Sequence, residues 1–218
     1  MITAPNPTLD QLREAVLNGN AKASASLTAD ALASGLGPQL IVDTALVPAM
    51  DEAGRLFDQG EFFVPELLVA ARAMKASQAL IAPLLAGSGV VARGKIVIGT
   101  VKGDLHDIGK NLVVALLQGG GFDVVDLGAD VAPEAFVAAV HEHRPDLVGL
   151  SALLTTTMLQ MQQTIRALCE AGVRERVKIM VGGAPVTDRF ARECGADGYA
   201  DNAAAAVTLA RALVPATR

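Results

Sequence analysis

Lys95-Ile-Val-Ile-Gly-Thr-Val-Lys-Gly-Asp-Leu-His-Asp-Ile-Gly-Lys-Asn111 is the stretch that decides the fold. It opens as a β-branched run of strand length, breaks at Lys102-Gly103-Asp104, and passes into a helical pattern from about residue 108. The same strand–turn–helix theme then repeats to the end of the chain. Strands are expected at Lys95–Val101, Phe122–Leu127, Asp146–Ala152, Val177–Val181 and Gly198–Ala200. Helices are expected over 108–118, 132–143, 157–171, 187–194 and 203–213. Strict β/α alternation implies a parallel sheet covered on both faces. The expected class is α/β, with a flavodoxin-like (Rossmann-like) doubly wound sheet. In such sheets ligands bind beyond the carboxyl ends of the strands, at the topological switch point.

Upstream of residue 90 the periodicity is helical throughout. Thr8-Leu-Asp-Gln11 has the capping-box pattern, and Leu9, Leu12 and Val16 follow at helical spacing up to Gly19. A second helix over about 20–34 presents Leu27 and Leu32, and Gly35 and Gly37 stop it. Pro38 opens a third helix, running to about Gln59, which Pro48 should kink. A fourth runs from near Pro65 to about Leu85, with Leu67, Ala71, Met74, Ile81 and Leu85 on its apolar face. Four helices with short loops predict an antiparallel bundle. Ala86-Gly-Ser-Gly89 reads as a linker, dividing the chain into a helical-bundle domain over 1–88 and an α/β domain over 89–218.

Composition excludes several classes. The 218 residues are 51% hydrophobic and 19% charged, which rules out disorder. Aromatics are 3% and Trp is absent, so stacking on single-stranded nucleic acid is not expected. A net charge of -5 lacks the basic footprint of a DNA binder. The apolar stretch Ala79–Ala92 is broken by Pro83 and by Gly87-Ser-Gly, whereas a membrane span needs about 20 apolar residues. The N-terminus has no basic segment followed by an apolar core, so no secretion signal is expected. Cys169 and Cys194 form no redox or disulfide motif and read as inert packing residues in a reducing cytoplasm. Met50, Met74 and Met158 read as core.

The switch-point loop carries Asp104, His106 and Gly109. The third strand ends in Ser151-Ala-Leu-Leu-Thr-Thr-Thr-Met158, a crowd of hydroxyls. The fourth ends in Val181-Gly-Gly-Ala-Pro185, where missing side chains leave room for a flat or bulky group. An imidazole is a good metal ligand, and a carboxylate two residues earlier can take its other N–H. A hydroxyl from the next strand could extend that to a relay. The other two histidines, His141 and His143, fall at the end of a surface helix. A metal held wholly by protein needs three or four ligands, so a metal held here must bring most of its coordination sphere, as a haem or a corrin does.

Together, Asp104-x-His106-x-x-Gly109, Ser151-x-Leu153 and Gly182-Gly183 resemble the cobalamin-binding signature. Gly54-Arg-Leu-Phe-Asp-Gln-Gly-Glu-Phe-Phe-Val-Pro-Glu66 and Ala71-Arg-Ala-Met74 resemble the helical cap of the cobalamin module of methionine synthase. The likeness to the small corrinoid proteins of methyltransferase systems is closer still and covers about residues 8–215. It implies a bundle cap over 1–88, a cobalamin-binding domain over 89–218, and cobalamin or a related corrinoid as cofactor. His106 would be the lower axial cobalt ligand, Asp104 would hold His106, and Gly109 would complete the motif. Thr157 stands where methionine synthase has the relay Ser. Ser151, Leu153 and Thr155 would contact the displaced nucleotide tail. Gly182 and Gly183 would line its slot, with Ala203 near the far end. Phe57 and Val64 would lie over the methyl-bearing face, where the related cap has Leu in place of Val64. Asp43 aligns with an acidic cofactor-contacting position.

Each feature alone has a plainer reading. His106 could be a surface loop residue beside an N-cap Asp107. Ser151–Thr157 could be an ordinary turn and N-cap, Gly182-Gly183 an αβ turn, and Phe57 and Phe63 bundle core. Gly119-Gly-Gly121 reads as a helix stop.

The resemblance implies a non-catalytic corrinoid methyl carrier. It would accept a methyl group on cobalt from a substrate-specific methyltransferase and pass it to a second, methyl-accepting one. A reductive activation protein is a further partner, and no nucleic acid or membrane takes part. No phosphate loop is present, and the chain is too short to add a substrate barrel of about 250 residues. The alternative is a stand-alone cobalamin-dependent sensor. A mutase subunit would usually lack the helical cap, and a phosphoacceptor receiver would want an Asp where Ser151-Ala152 ends the third strand.

Overall fold

A computed structural model describes residues 6–86 and 93–215, so Gly87–Gly89 of the expected linker lie outside the described residues. The described residues form two compact units. One takes residues up to 86 with Gly119–Gly121, and the other takes 93–118 and 122–215.

The first unit is helical: α1 (Pro7–Leu17), α2 (Ala21–Ala33), α3 (Pro38–Ile41), α4 (Val47–Asp58) and α5 (Val64–Ala86). Asn6, not Thr8, caps α1. Its side chain accepts from the Thr8 and Leu9 N–H groups, and Pro7 takes the first helical position. Leu9, Leu12 and Val16 are buried as expected.

α2 corrects the expected face. Its buried residues are Ser24, Thr28 and Ala31, while Leu27 and Leu32 are half-buried. The hydroxyls are tolerated because they satisfy one another in sequence. Thr28 Oγ1 donates to Ser77 Oγ of α5 (2.9 Å), Ser77 and Ser24 Oγ lie 2.5 Å apart, and Ser24 Oγ donates to the Ala73 carbonyl (3.1 Å). Small polar side chains there let α2 and α5 approach closely. On α5, Leu67, Ala70, Ala73, Met74, Ser77 and Ile81 are buried, whereas Ala71 and Leu85 are only half-buried.

The expected third helix is one rod in three pieces. Between α3 and α4 lies a π-helical turn, Val42–Leu46, in which the Val47 N–H bonds the Val42 carbonyl. The wider turn accommodates Pro48, which has no N–H and whose ring would crowd the carbonyl four residues earlier. Helix α5 is also more apolar than its Pro83 suggested. Val64–Leu85, 22 residues of mean hydropathy 1.2, is long and apolar enough to cross a membrane. It nonetheless carries Glu66, Arg72 and Lys75 and packs against α1, α2 and α4.

The second unit holds strands β1 (Lys95–Thr100), β2 (Asp123–Asp126), β3 (Leu147–Ser151), β4 (Lys178–Gly182) and β5 (Gly198–Ala200). All pair in parallel, in the order β2-β1-β3-β4-β5. Helices α6 (Ile108–Gly119), α7 (Pro133–His143), α8 (Met158–Glu170) and α9 (Asp188–Cys194) make the crossovers, and α10 (Ala203–Leu213) follows β5. This is the expected flavodoxin-like order, with the switch point between β1 and β3. Val97, Val148 and Leu150 pack with Phe136, Met161 and Leu168 in the core. Met50 and Met74 are buried and Met158 is half-buried, as expected of core residues. Cys194 is buried, and burial pushes its thiol pKa up. Cys169 is exposed on α8 rather than packed, because the apolar face of α8 runs through Met161, Ile165 and Leu168.

Candidate cofactor site

The strand register sets the site. Thr100 pairs with Ser151, Ser151 with Gly182, and Gly182 with Ala200, forming one row across the carboxyl ends of β1, β3, β4 and β5. The β1–α6 loop leaves this row at the switch point and turns through Gly103, whose φ of 79° favours glycine.

Asp104 is fully buried, at 0% exposure, and its carboxylate is saturated. Oδ2 accepts from Thr157 Oγ1 (2.7 Å), Leu153 N (2.7 Å) and Leu154 N (3.4 Å). Oδ1 lies 2.7 Å from His106 Nδ1 and accepts from the His106 N–H at 3.1 Å. The Thr157 hydroxyl also lies 2.9 Å from the Leu154 carbonyl, and its one proton favours the charged acceptor. Burial raises the Asp104 pKa, but the hydrogen bonds from Thr157, Leu153 and His106 outweigh it and hold the carboxyl well below the usual carboxylate range. An ionised Asp104 takes a hydrogen bond from His106 Nδ1–H, and in the neutral imidazole that tautomer presents the Nε2 lone pair to a metal. The His106 side chain is 52% exposed. Leu153 and Leu154, which bond the carboxylate through their backbones, expose their own side chains, and Leu105 (76%) in the β1–α6 loop and Ile108 (78%) at the start of α6 are exposed as well.

Two family models, each described as a B12 binding domain, match residues 94–208 and 8–81. A corrinoid protein of Desulfitobacterium hafniense is 40% identical over 209 residues, 94% of this chain and 97% of its own. Dimethylamine corrinoid protein 2 of Methanosarcina acetivorans is 46% identical over 178 residues, 81% of this chain and 82% of its own. The methanol:cobalamin methyltransferase complex MtaBC of Methanosarcina barkeri contains a chain that superposes with a TM-score of 0.86 at 31% identity, covering 99% of this chain and 83% of that one. The chain belongs to the B12-binding corrinoid proteins of methyltransferase systems.

The residues of this corrinoid protein fit such a cofactor. Among the described residues, no group of three or more His, Cys, Asp or Glu could hold a metal. One imidazole therefore suits a metal that brings its own equatorial ligands. Exposed Leu105, Ile108, Leu153, Leu154 and Leu159 suit a large, partly apolar ring. A Cβ built on Gly109, in the first turn of α6, would meet nothing within 4 Å, so space is open there.

Other expected residues fall as follows. Ser151 ends β3, Thr155 is exposed in the loop after it, and Ala203 is the buried first residue of α10, which Asn202 caps. Gly182 and Gly183 lie at the end of β4, but open room is not what requires them. A Cβ on Gly183, whose φ is 127°, would sit 1.9 Å from the Ala152 carbonyl oxygen, and one on Gly182 would sit 3.0 Å from that of Ala200. Close approach of neighbouring strand ends excludes a side chain at Gly183 and makes the space at Gly182 tight. In the helical unit, Phe57 and Val64 are half-buried, and exposed Asp43 accepts from Gln39 Nε2 at 2.8 Å. Their assignment to the cofactor rests on the resemblance alone. Sequence reasoning missed Thr100, whose buried hydroxyl donates to the His106 carbonyl at 3.0 Å. Its only outward signal was its place at the end of the first strand.

Proposed function

We propose that this corrinoid protein is a methyl carrier. It takes a methyl group from a substrate-specific methyltransferase and gives it to a second, methyl-accepting methyltransferase, with a reductive activation protein as a further partner. The observation that carries the reading is the half-exposed His106, held in one tautomer by a buried, fully bonded carboxylate and offering a single metal-binding nitrogen. The relatives' names, among them a dimethylamine corrinoid protein and a methanol:cobalamin methyltransferase complex, support it.

When bound, the corrinoid supplies a cobalt that takes up and releases a methyl group. His106 Nε2 would be the protein atom that holds the cobalt. Asp104 keeps the proton on Nδ1 and sets the ring's orientation, and Thr157 fixes Asp104 in turn. Ser151, Leu153, Thr155 and Ala203 would hold the nucleotide tail, with Gly182 and Gly183 beside it. Residues 1–88 and 89–218 act as two domains, and the carrier works in the cytoplasm.

Label transfer tests the proposal. The reduced, corrinoid-loaded protein is charged with a radiolabelled methyl group and mixed with a corrinoid-dependent thiol methyltransferase and its thiol. Close to one label per corrinoid should reach the thiol. Label retained on the protein, together with a light-induced change of oligomeric state, would instead make it a sensor.

A further inference from the structure

The β1–β2 ladder does not stop at its strand ends. Beyond them, the Thr100 N–H bonds the Gly128 carbonyl (2.9 Å) and the Val131 N–H bonds the Thr100 carbonyl (2.9 Å), while Val101 and Val131 form a parallel bridge. Asp130 sits inside this extension with a φ of 56°, a left-handed backbone that Asp, Asn and Gly tolerate. Its Oδ1 accepts from the Gly103 N–H at 2.7 Å, and its own N–H donates to the Asp104 carbonyl at 3.0 Å. A turn-capping Asp would satisfy its own loop. This one instead reaches across to the loop that carries His106.

We infer that Asp130 is a positioning residue for the axial histidine. The inference rests on the reading of His106 as cobalt ligand. The Asp104 side chain is fixed from the β3 side by Leu153 and Thr157, and its N–H bonds the Val101 carbonyl at 3.1 Å in its own loop, which leaves its carbonyl and the preceding Gly103 to be held. Asp130 fixes that backbone from the β2 side, bonding the residue before it and its carbonyl. Thr100 fixes the His106 carbonyl. With both ends of Asp104–His106 tied, the imidazole is held ready before any corrinoid arrives, and ordering it on binding costs little. Farther along, Lys110, with its side chain 1% exposed, bonds both carboxylate oxygens of Asp126 at 2.7 and 2.6 Å, and Asp126 Oδ1 accepts from the Gly128 N–H at 2.9 Å. That pair anchors the base of the segment bearing Asp130 to α6.

Asp130→Gly removes the carboxylate and keeps the left-handed backbone, whereas Asp130→Asn keeps both an acceptor oxygen and the backbone preference. Three readouts are taken on the full chain. They are hydrogen exchange of the Gly103 amide in the corrinoid-free protein, affinity for cobalamin, and the nitrogen splitting in the electron paramagnetic resonance of the cobalt(II)-loaded form. Asp130→Gly should speed Gly103 exchange, weaken cobalamin binding about 10–100-fold and reduce the nitrogen-split fraction. Asp130→Asn should restore all three to near wild type. Wild-type affinity and splitting in Asp130→Gly, or equal impairment in Asp130→Asn, would overturn the inference. Nitrogen splitting that survives in the His106→Ala variant would instead overturn the reading beneath it.

Discussion

Asp104 is a charge in a place where charges are costly, and its hydrogen bonds make the cost bearable. Its folded pKa lies below that of an unfolded aspartate, about 3.9. Its contribution to stability is therefore complete above the unfolded value and is lost as pH falls through the folded one. Thr157→Val keeps the volume and removes the 2.7 Å donor to Oδ2. The folded pKa should rise toward the unfolded one, so the acid-dependent loss of stability should be smaller and should be complete at a higher pH. At neutral pH the corrinoid-free protein should lose about 1.5–3 kcal/mol, the range for a hydrogen bond to a charged group. Thr157→Ser should behave like wild type in both respects. Denaturant titrations from acid to neutral pH check this, and a Val variant with the wild-type pH curve would refute it. At this scale the sequence was legible where chemistry is written in residue type, as in Asp104, His106 and Thr157. It was illegible for Thr100 and Asp130, which act through backbone groups of the β1–α6 loop and leave no side-chain motif.

Elements of the α/β unit were legible almost throughout, because a period of two alternating with helical segments, punctuated by Gly and Pro, has few other solutions. The five strands and five helices lie within a residue or two of expectation, as they do for Asp146–Ala152 against β3. The bundle was harder. Hydrophobicity pointed to Leu27 and Leu32 on α2, yet the chain buries Ser24 and Thr28, since hydroxyls that bond one another across a close helix pair are cheap to bury. Pro48 announced a disturbance, but not that a π-helical turn would absorb it. The hydroxyl chain Thr28–Ser77–Ser24–Ala73 carbonyl has a definite weak point. Ser77→Ala leaves Thr28 without an acceptor and Ser24 without one partner, all of them buried. It should cost about 1–3 kcal/mol in the urea unfolding of the corrinoid-free protein. Thr28→Val, at the end of the chain, should cost less. Equal losses in the two variants would mean that the hydroxyls are not linked in sequence.

At the scale of the whole molecule, each unit has its own core, and the cofactor-binding chemistry legible here belongs to the sheet. The parallel register aligns Thr100, Ser151, Gly182 and Ala200 at one end of that sheet, and the switch-point loop sets His106 beside that row. The account stands or falls on whether the His106 imidazole is the protein's bond to cobalt. The most direct measurement is the electron paramagnetic resonance of the cobalt(II) corrinoid-loaded protein grown with nitrogen-14 or nitrogen-15 histidine. The account expects a nitrogen splitting that changes with the isotope and disappears in His106→Ala. A splitting that ignores the isotope, or that persists without His106, would contradict it.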